Sequence, residues 1–305
     1  MRIIFMGTPE FAVPSLDILI KNNYNIVAVV TATDKMAGRG KQITMSAVKK
    51  YALEQNIPIL QPEKLKSEEF LAELQALKAD LQIVVAFRML PEAVWNMPPL
   101  GTFNLHASLL PQFRGAAPIN WAIISGEKQT GVTTFFLQQE IDTGDLILQE
   151  KIDILDEDNF ETLYNKLMNK GSDLVLKTVQ MIENKNITPQ KQIVDGITLL
   201  PAPKIFRETC EINFNQSSIE VWNFVRGLSP IPAAWTMING KLLKIFSVKP
   251  FQNTHQNLEV GSFQTDHKHF LHFITADGYI SVEELQIEGR KRLTIEEFLR
   301  GNPFK

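Results

Sequence analysis

The chain has a single cysteine, Cys210, so no disulfide can form within it. A fold without such a staple must stand on its core, and a reducing compartment suits it. A long apolar run is also missing. The opening MRIIFMGTPEFAVPSLDILI (1–20) is interrupted by Gly7, Pro9, Glu10 and Pro14 and lacks a small-residue cleavage pattern. It falls short of the ~20 apolar residues that span a bilayer. A cytoplasmic protein with no membrane attachment is expected. Nor is there an excess of positive charge: the formal net charge is −3, which removes a global basic field as the means of holding nucleic acid.

Two phosphate-binding loops are absent as well. The first β-like run ends in MGTPEFA (6–12), where Gly7 is the only glycine and Pro9 and Glu10 fill the turn. A dinucleotide turn needs spaced glycines that let the backbone approach a pyrophosphate. Proline here removes a donor and glutamate repels phosphate, so NAD binding is disfavoured. AGRG (37–40) is not followed by the Lys-Ser/Thr of a P-loop.

What is present reads as two parts. Strand-like runs RIIFMG (2–7), NIVAVVTAT (25–33), LQIVVAF (81–87) and GTFNLHA (101–107) alternate with helical spacing in 13–22, 44–56 and 67–80. That alternation predicts a mostly parallel sheet with helices on both faces. Residues 130–154 predict an antiparallel pair turning at Asp142–Asp145, and 161–184 a helix with Gly171 inside it. The stretch 195–209 has two prolines and little periodicity, as a linker would. Beyond it come a capped helix over 217–230 and short strands with Asn239-Gly240 and Asp277-Gly278 hairpin signals, which predict a small β-barrel. In that segment acidic and basic residues balance, so any contact with nucleic acid must run through local patches. DHKHFLH (266–272) invites a metal reading, but no cysteine or second cluster supports a zinc site, and a solvated strand is expected.

The chemistry concentrates in NLHASLLPQFRGAAP (104–118). Side chains two apart on a strand share a face, so Asn104 and His106 project together at the carboxyl end of a parallel strand. Ligands of open α/β sheets bind outside those ends. A core histidine beside an edge asparagine is the plain alternative. Against it, Pro111 and Pro118 break the backbone, Gly115-Ala116-Ala117 lets it pass close to something, and Asp142 follows on the next turn. An acid beside His106 would favour its charged form and fix its orientation. Amide and imidazolium donors together suit the oxyanion of acyl transfer. No Ser or Cys nucleophile sits with a base here, so the attacking group would come from a substrate.

Asn-X-His, Ser-Leu-Leu-Pro, Arg-Gly-Ala-Ala-Pro and Asp-Thr-Gly-Asp together resemble the formyltetrahydrofolate-dependent formyltransferases. The branch acting on initiator methionyl-tRNA matches over nearly the whole chain, including GTPEFA and AGRGK. The resemblance implies a Rossmann-like catalytic domain over 1–189, a linker over 190–205 and an oligonucleotide-binding-type barrel over 206–305. It implies Asn104, His106 and Asp142 as catalytic and 10-formyltetrahydrofolate as co-substrate, with no metal. Ser108, Leu109, Leu110 and Pro111 would shape the folate site. Phe87, Arg88 and Met89 would wall the pteridine, where the family commonly has Tyr-Gly and a longer stretch. Lys35, Arg39 and Lys41 of the basic loop, with Lys244, Arg290, Lys291 and Arg292 of the barrel, would meet tRNA. The protein would act as a monomer. Formylation of an amino-sugar nucleotide is the alternative within the family, and the basic loop and the Asp-Thr-Gly-Asp turn weigh against it. A shorter glycinamide-ribonucleotide enzyme would not need residues beyond about 200, and a binding module without catalysis would have no use for the trio.

Overall fold

A computed structural model describes residues 1–37, 42–252 and 258–301. In chain order the elements that position the site begin with β1 (Arg2–Gly7), α1 (Val13–Lys21) and β2 (Asn25–Val30). A short hairpin of β3 (Lys35–Ala37) and β4 (Gln42–Thr44) leads into α2 (Ala47–Glu54) and β5 (Ile59–Leu60). There follow α3 (Glu68–Ala76), β6 (Leu81–Val85), α4 (Glu92–Trp95) and β7 (Thr102–His106). Then come α5 (Pro118–Ile124), β8 (Gln129–Phe136), β9 (Leu146–Asp153) and the long α6 (Phe160–Glu183). Two compact units divide the chain: 1–115 with 131–152 and 164–201, and 116–130 with 153–163 and 202–305.

The first unit is built on a seven-stranded sheet of order β5-β2-β1-β6-β7-β8-β9. Its pairings are parallel from β5 through β7, and β7 meets β8 antiparallel. The inner strands are apolar runs with both faces covered, as parallel sheets require. Ile4, Met6, Val30, Val84, Phe70, Leu74 and Val94 pack on one face. Expected elements shorten where side chains compete for the backbone. β2 stops at Val30, before the expected 33, since the Gln61 amide takes the carbonyl of Ala32. α2 starts at Ala47 under a Ser46 cap, because Thr44 is already paired with Lys35 in the hairpin. Phe87 lies beyond the end of β6.

Gly171 explains itself by packing. A methyl group there would lie 2.7 Å from Leu105 Cδ2, so the glycine lets α6 approach β7 beside the strand end that carries His106. A buried pair between Thr134 and Thr178, 2.8 Å apart, ties α6 to β8 as well.

The second unit packs around α7 (Ser218–Leu228), which opens with a capping box between Ser217 and Glu220. Six strands, β10 (Ala234–Ile238), β11 (Lys241–Phe251), β12 (Phe263–Thr265), β13 (Leu271–Ile274), β14 (Tyr279–Ile287) and β15 (Leu293–Thr294), form an antiparallel half-barrel of order β10-β11-β14-β13-β12, with β15 on β14. Register shifts along β11 mark bulges, which increase the local twist of a strand. Val221, Val225, Leu228, Leu243, Ile245, Phe273, Ile280 and Leu285 make the core. Cys210 is buried there, and burial raises its thiol pKa. Helix α8 (Ile295–Arg300) carries its own capping box from Thr294 to Glu297.

The DHKHFLH stretch departs from expectation. His267 and His269 do not share a strand face, because β13 begins only at Leu271. Asp266 instead accepts the backbone N–H groups of Lys268, His269 and Phe270, which makes a side-chain-closed turn.

The glycine at 171 gives a test of the first unit's packing. Gly171→Leu overpacks the α6–β7 contact and should cost about 1–3 kcal/mol in denaturant unfolding. Gly171→Ala should cost less, since the atom it meets is the movable end of Leu105. Equal stability of all three proteins would contradict the contact.

Candidate active site

The site grows from the end of β7. Asn104 and His106 alternate with the buried Phe103 and Leu105, so the two polar side chains share one face, as their spacing predicts. His106 is 6% exposed. Its Nε2 lies 2.8 Å from the backbone oxygen of Phe113. A carbonyl only accepts, so Nε2 carries the proton. Its Nδ1 faces Asp142 Oδ2 at 3.7 Å, too far for a direct hydrogen bond and close enough for charge to be felt. Asn104 is half-buried, and among the described residues no protein group engages its amide.

Asp142 reaches His106 by way of an unusual turn. The residue has φ of 55°, in the left-handed region that aspartate tolerates better than most side chains. Two residues on, Gly144 is required by space: a Cβ there would stand 1.6 Å from the oxygen of Phe136. The Asp142 carboxylate is held by the N–H of Gly115, which donates to Oδ2 at 2.9 Å. The abrupt Arg-Gly-Ala-Ala-Pro break thus serves a purpose, because it turns a free N–H toward the acid.

Ser-Leu-Leu-Pro is locked from within. Ser108 is fully buried and donates to the oxygen of Gln112, 2.6 Å away, so its hydroxyl is not free for a ligand. Thr133 donates to the oxygen of Ser108, and Gln149 to that of Leu110. Leu110 is buried, while Leu109 and Pro111 are partly exposed. At the end of β6, Phe87 packs partly on the core. Arg88 turns away to donate to the carbonyls of Glu63 and Pro62. Met89 is 67% exposed, and with Phe87 it leaves an apolar surface there.

The stretch 190–201 was invisible as part of the site. It has almost no regular structure, yet it is stitched to the catalytic loops. Gln190 bridges to Leu146, and Gln192 bonds the carbonyls of Asp142 and Gly144 and the guanidinium of Arg114. Leu200 accepts from the N–H of Phe113, and Gln112 pairs with Thr198 and Leu200. The one sequence signal was an excess of glutamine where a tether would carry small residues.

The cations sort by what holds them. Lys35 is exposed; Arg39 and Lys41 lie outside the described residues. Lys49, overlooked in sequence, binds Asp34 and Gln61 at the foot of that loop. The Lys49 ammonium, then Gln61, lowers the Asp34 carboxyl pKa, so the tie persists at neutral pH and is lost only as pH falls through that lowered value. In the second unit Lys244 donates to the oxygen of Pro232, and Arg292 pairs with Glu284 over the ring of Phe246. Arg290 and Lys291 are exposed. Among the described residues no group of three or more His, Cys, Asp or Glu could hold a metal, and no helix is long and apolar enough to cross a membrane.

Comparison with known proteins places this geometry. A family model described as formyl transferase matches residues 1–179, and one described as formyl transferase, C-terminal domain, matches 204–303. The chain belongs to the formyl transferase family. It is 54% identical over 308 residues to a methionyl-tRNA formyltransferase of Bacteroides thetaiotaomicron, covering 99% of this chain and 95% of that protein. It is 51% identical over 308 residues to the methionyl-tRNA formyltransferase of Flavobacterium johnsoniae, covering 100% and 97%. Among solved structures, an N-formyltransferase from Helicobacter canadensis, in complex with folinic acid and dTDP-3-aminofucose, aligns with a TM-score of 0.67 at 23% identity. It covers 92% of this chain and 97% of that one. HypX from Aquifex aeolicus, in complex with tetrahydrofolic acid, aligns at 0.65 and 19%, over 98% of this chain and 47% of that one. These two share the fold. The amino-sugar alternative is thus supported only by distant likeness, against relatives of more than half identity acting on methionyl-tRNA.

The Phe113 carbonyl makes a prediction for the imidazole. Long-range ¹⁵N correlation should find the neutral His106 ring carrying its proton on Nε2. A neutral form carrying its proton on Nδ1 would contradict the observed bond.

Proposed function

We propose that the protein transfers the formyl group of 10-formyltetrahydrofolate to the α-amine of methionine esterified to initiator tRNA, as a monomer in the cytoplasm. The reading rests on one arrangement: an unengaged Asn104 amide on the same strand face as a buried imidazole whose Nδ1 side meets Asp142. Full-length similarity to methionyl-tRNA formyltransferases supports the choice of substrate.

The chemistry follows from what each group has left to offer. The amine must be neutral to attack the formyl carbon, and attack creates an oxyanion and a cationic nitrogen. Asn104 donates an N–H to that oxyanion. His106 has spent Nε2 on Phe113, so only Nδ1–H of its charged form can add to the stabilisation. This narrows the sequence expectation, in which both ring donors were available. Asp142 Oδ2 stands 3.7 Å from Nδ1. Its Oδ1 has no protein donor among the described residues and would take the proton from the amine. Collapse of the tetrahedral intermediate breaks the bond to N10 of the folate, which leaves with a proton. No protein nucleophile is needed, in keeping with the absence of a paired serine or cysteine.

The folate meets the chain between two features. The internally bonded 108–111 turn is a rigid edge, and Phe87 with the exposed Met89 supplies apolar surface for a pteridine. Arg88 serves by holding this loop to 62–63 and not as a wall. Of the described cations expected to meet tRNA, Lys35, Arg290, Lys291 and Arg292 are exposed, while Lys244 and Arg292 would have to leave Pro232 and Glu284 to reach a phosphate.

Purified protein with 10-formyltetrahydrofolate and charged initiator tRNA should yield formylmethionyl-tRNA, and an amino-sugar nucleotide should stay unmodified. The reverse result would overturn the assignment. Asn104→Ala should lower kcat by about 10²–10³-fold, the loss typical of one oxyanion donor. His106→Ala and Asp142→Asn should lose most turnover while remaining folded by circular dichroism. Near-normal turnover of any of the three would remove that residue from the mechanism.

A further inference from the structure

Asp142 stands on the turn between β8 and β9, in a left-handed conformation, with one backbone N–H on its carboxylate. Something else must hold it. The amide of Gln192 donates to the carbonyl of Asp142 at 2.8 Å and to that of Gly144 at 2.9 Å. Its Oε1 accepts from Arg114 Nη2 at 2.6 Å and from Nε at 3.1 Å. Every donor and both acceptor sites of the amide are thereby used. Its orientation is not ambiguous either, because carbonyls only accept and a guanidinium only donates. Arg114 immediately precedes Gly115, whose N–H grips the Asp142 carboxylate. The contacts close a ring that runs from the carboxylate to Gly115, Arg114, Gln192 and back to the Asp142 carbonyl.

We propose that Gln192, through Arg114, is a positioning residue for formyl transfer, holding the Asp142 carboxylate at its distance from His106. This rests on the role given to Asp142 above. Gln192 reaches neither His106 nor Asn104 by any hydrogen bond of the fold, so it acts only through the turn. Only an amide fits the place: a carboxylate would set an acceptor against two carbonyls, and an apolar side chain would release both the turn and Arg114.

The test uses the full chain with Gln192→Glu and the near-isosteric Gln192→Met, each alone and combined with Asp142→Ala. In the otherwise wild-type protein each should lower kcat about 10–100-fold, the scale of a misplacement near 1 Å, with KM for both substrates changed less than about threefold. In the Asp142→Ala background neither should lower the residual single-turnover rate further, since the group being positioned is gone. An unchanged kcat, or an equal loss in both backgrounds, would overturn the proposal. Amide exchange at Gly115 gives a readout independent of activity. It should accelerate at least tenfold in Gln192→Met while core amides of the sheet keep their protection, and unchanged exchange would equally overturn the clamp. Wild-type protein that forms no product, with Gly115 exchange still dependent on Gln192, would instead indict the assigned reaction and leave the clamp standing.

Discussion

The hydrogen bond between His106 and the Phe113 carbonyl decides what the rest of the site can be. It uses the proton on Nε2, fixes the ring plane, and leaves Nδ1 as the one nitrogen whose state can change. Phe113 holds its carbonyl there from a left-handed backbone, with its N–H bonded to Leu200. Asp142 Oδ2 then stands 3.7 Å from Nδ1 of a ring already aimed. Without the Phe113 contact the imidazole could rotate, and the spacing of Asn104, His106 and Asp142 would carry no chemistry.

The catalytic groups therefore depend on irregular chain. β7 delivers Asn104 and His106, but residues 112–115, the turn around Asp142 and the stretch 190–201 hold the geometry. These segments lie far apart in sequence and are joined mostly by side-chain amides: Gln112 to 198–200, and Gln192 to 142–144 and Arg114. Amides suit this work because they donate and accept at once and carry no charge to disturb the ring. Glycine contributes by space at Gly144 and Gly171, where backbone or side chain stands too near for a Cβ.

Much of this was legible in the sequence where a short period or a local rule governs. The alternating elements of the first unit, the shared face of Asn104 and His106 and the strand over 279–287 follow from periods of 3.6 and 2. Contacts set by distant segments were not legible. Nothing in the spacing says that Phe113 takes Nε2, that Arg88 folds back on Pro62 and Glu63, or that Gln192 clamps a turn fifty residues earlier in the chain. DHKHFLH is a strand only from Leu271, because Asp266 captures the N–H groups of Lys268, His269 and Phe270. Helix α8 could have been found, since Thr294 and Glu297 spell a capping box in plain view.

The central claim is that a formyl oxygen is received by the Asn104 amide beside an imidazole oriented by Phe113 and Asp142. A crystal structure of the protein with a non-reactive 10-formyl folate analogue tests it most directly. The formyl oxygen should lie within about 3.2 Å of Asn104 Nδ2, with His106 Nδ1 and the Asp142 carboxylate bordering the formyl carbon and Nε2 still on Phe113. A formyl group bound away from Asn104, or a ring that leaves Phe113 and turns Nε2 toward the ligand, would contradict it.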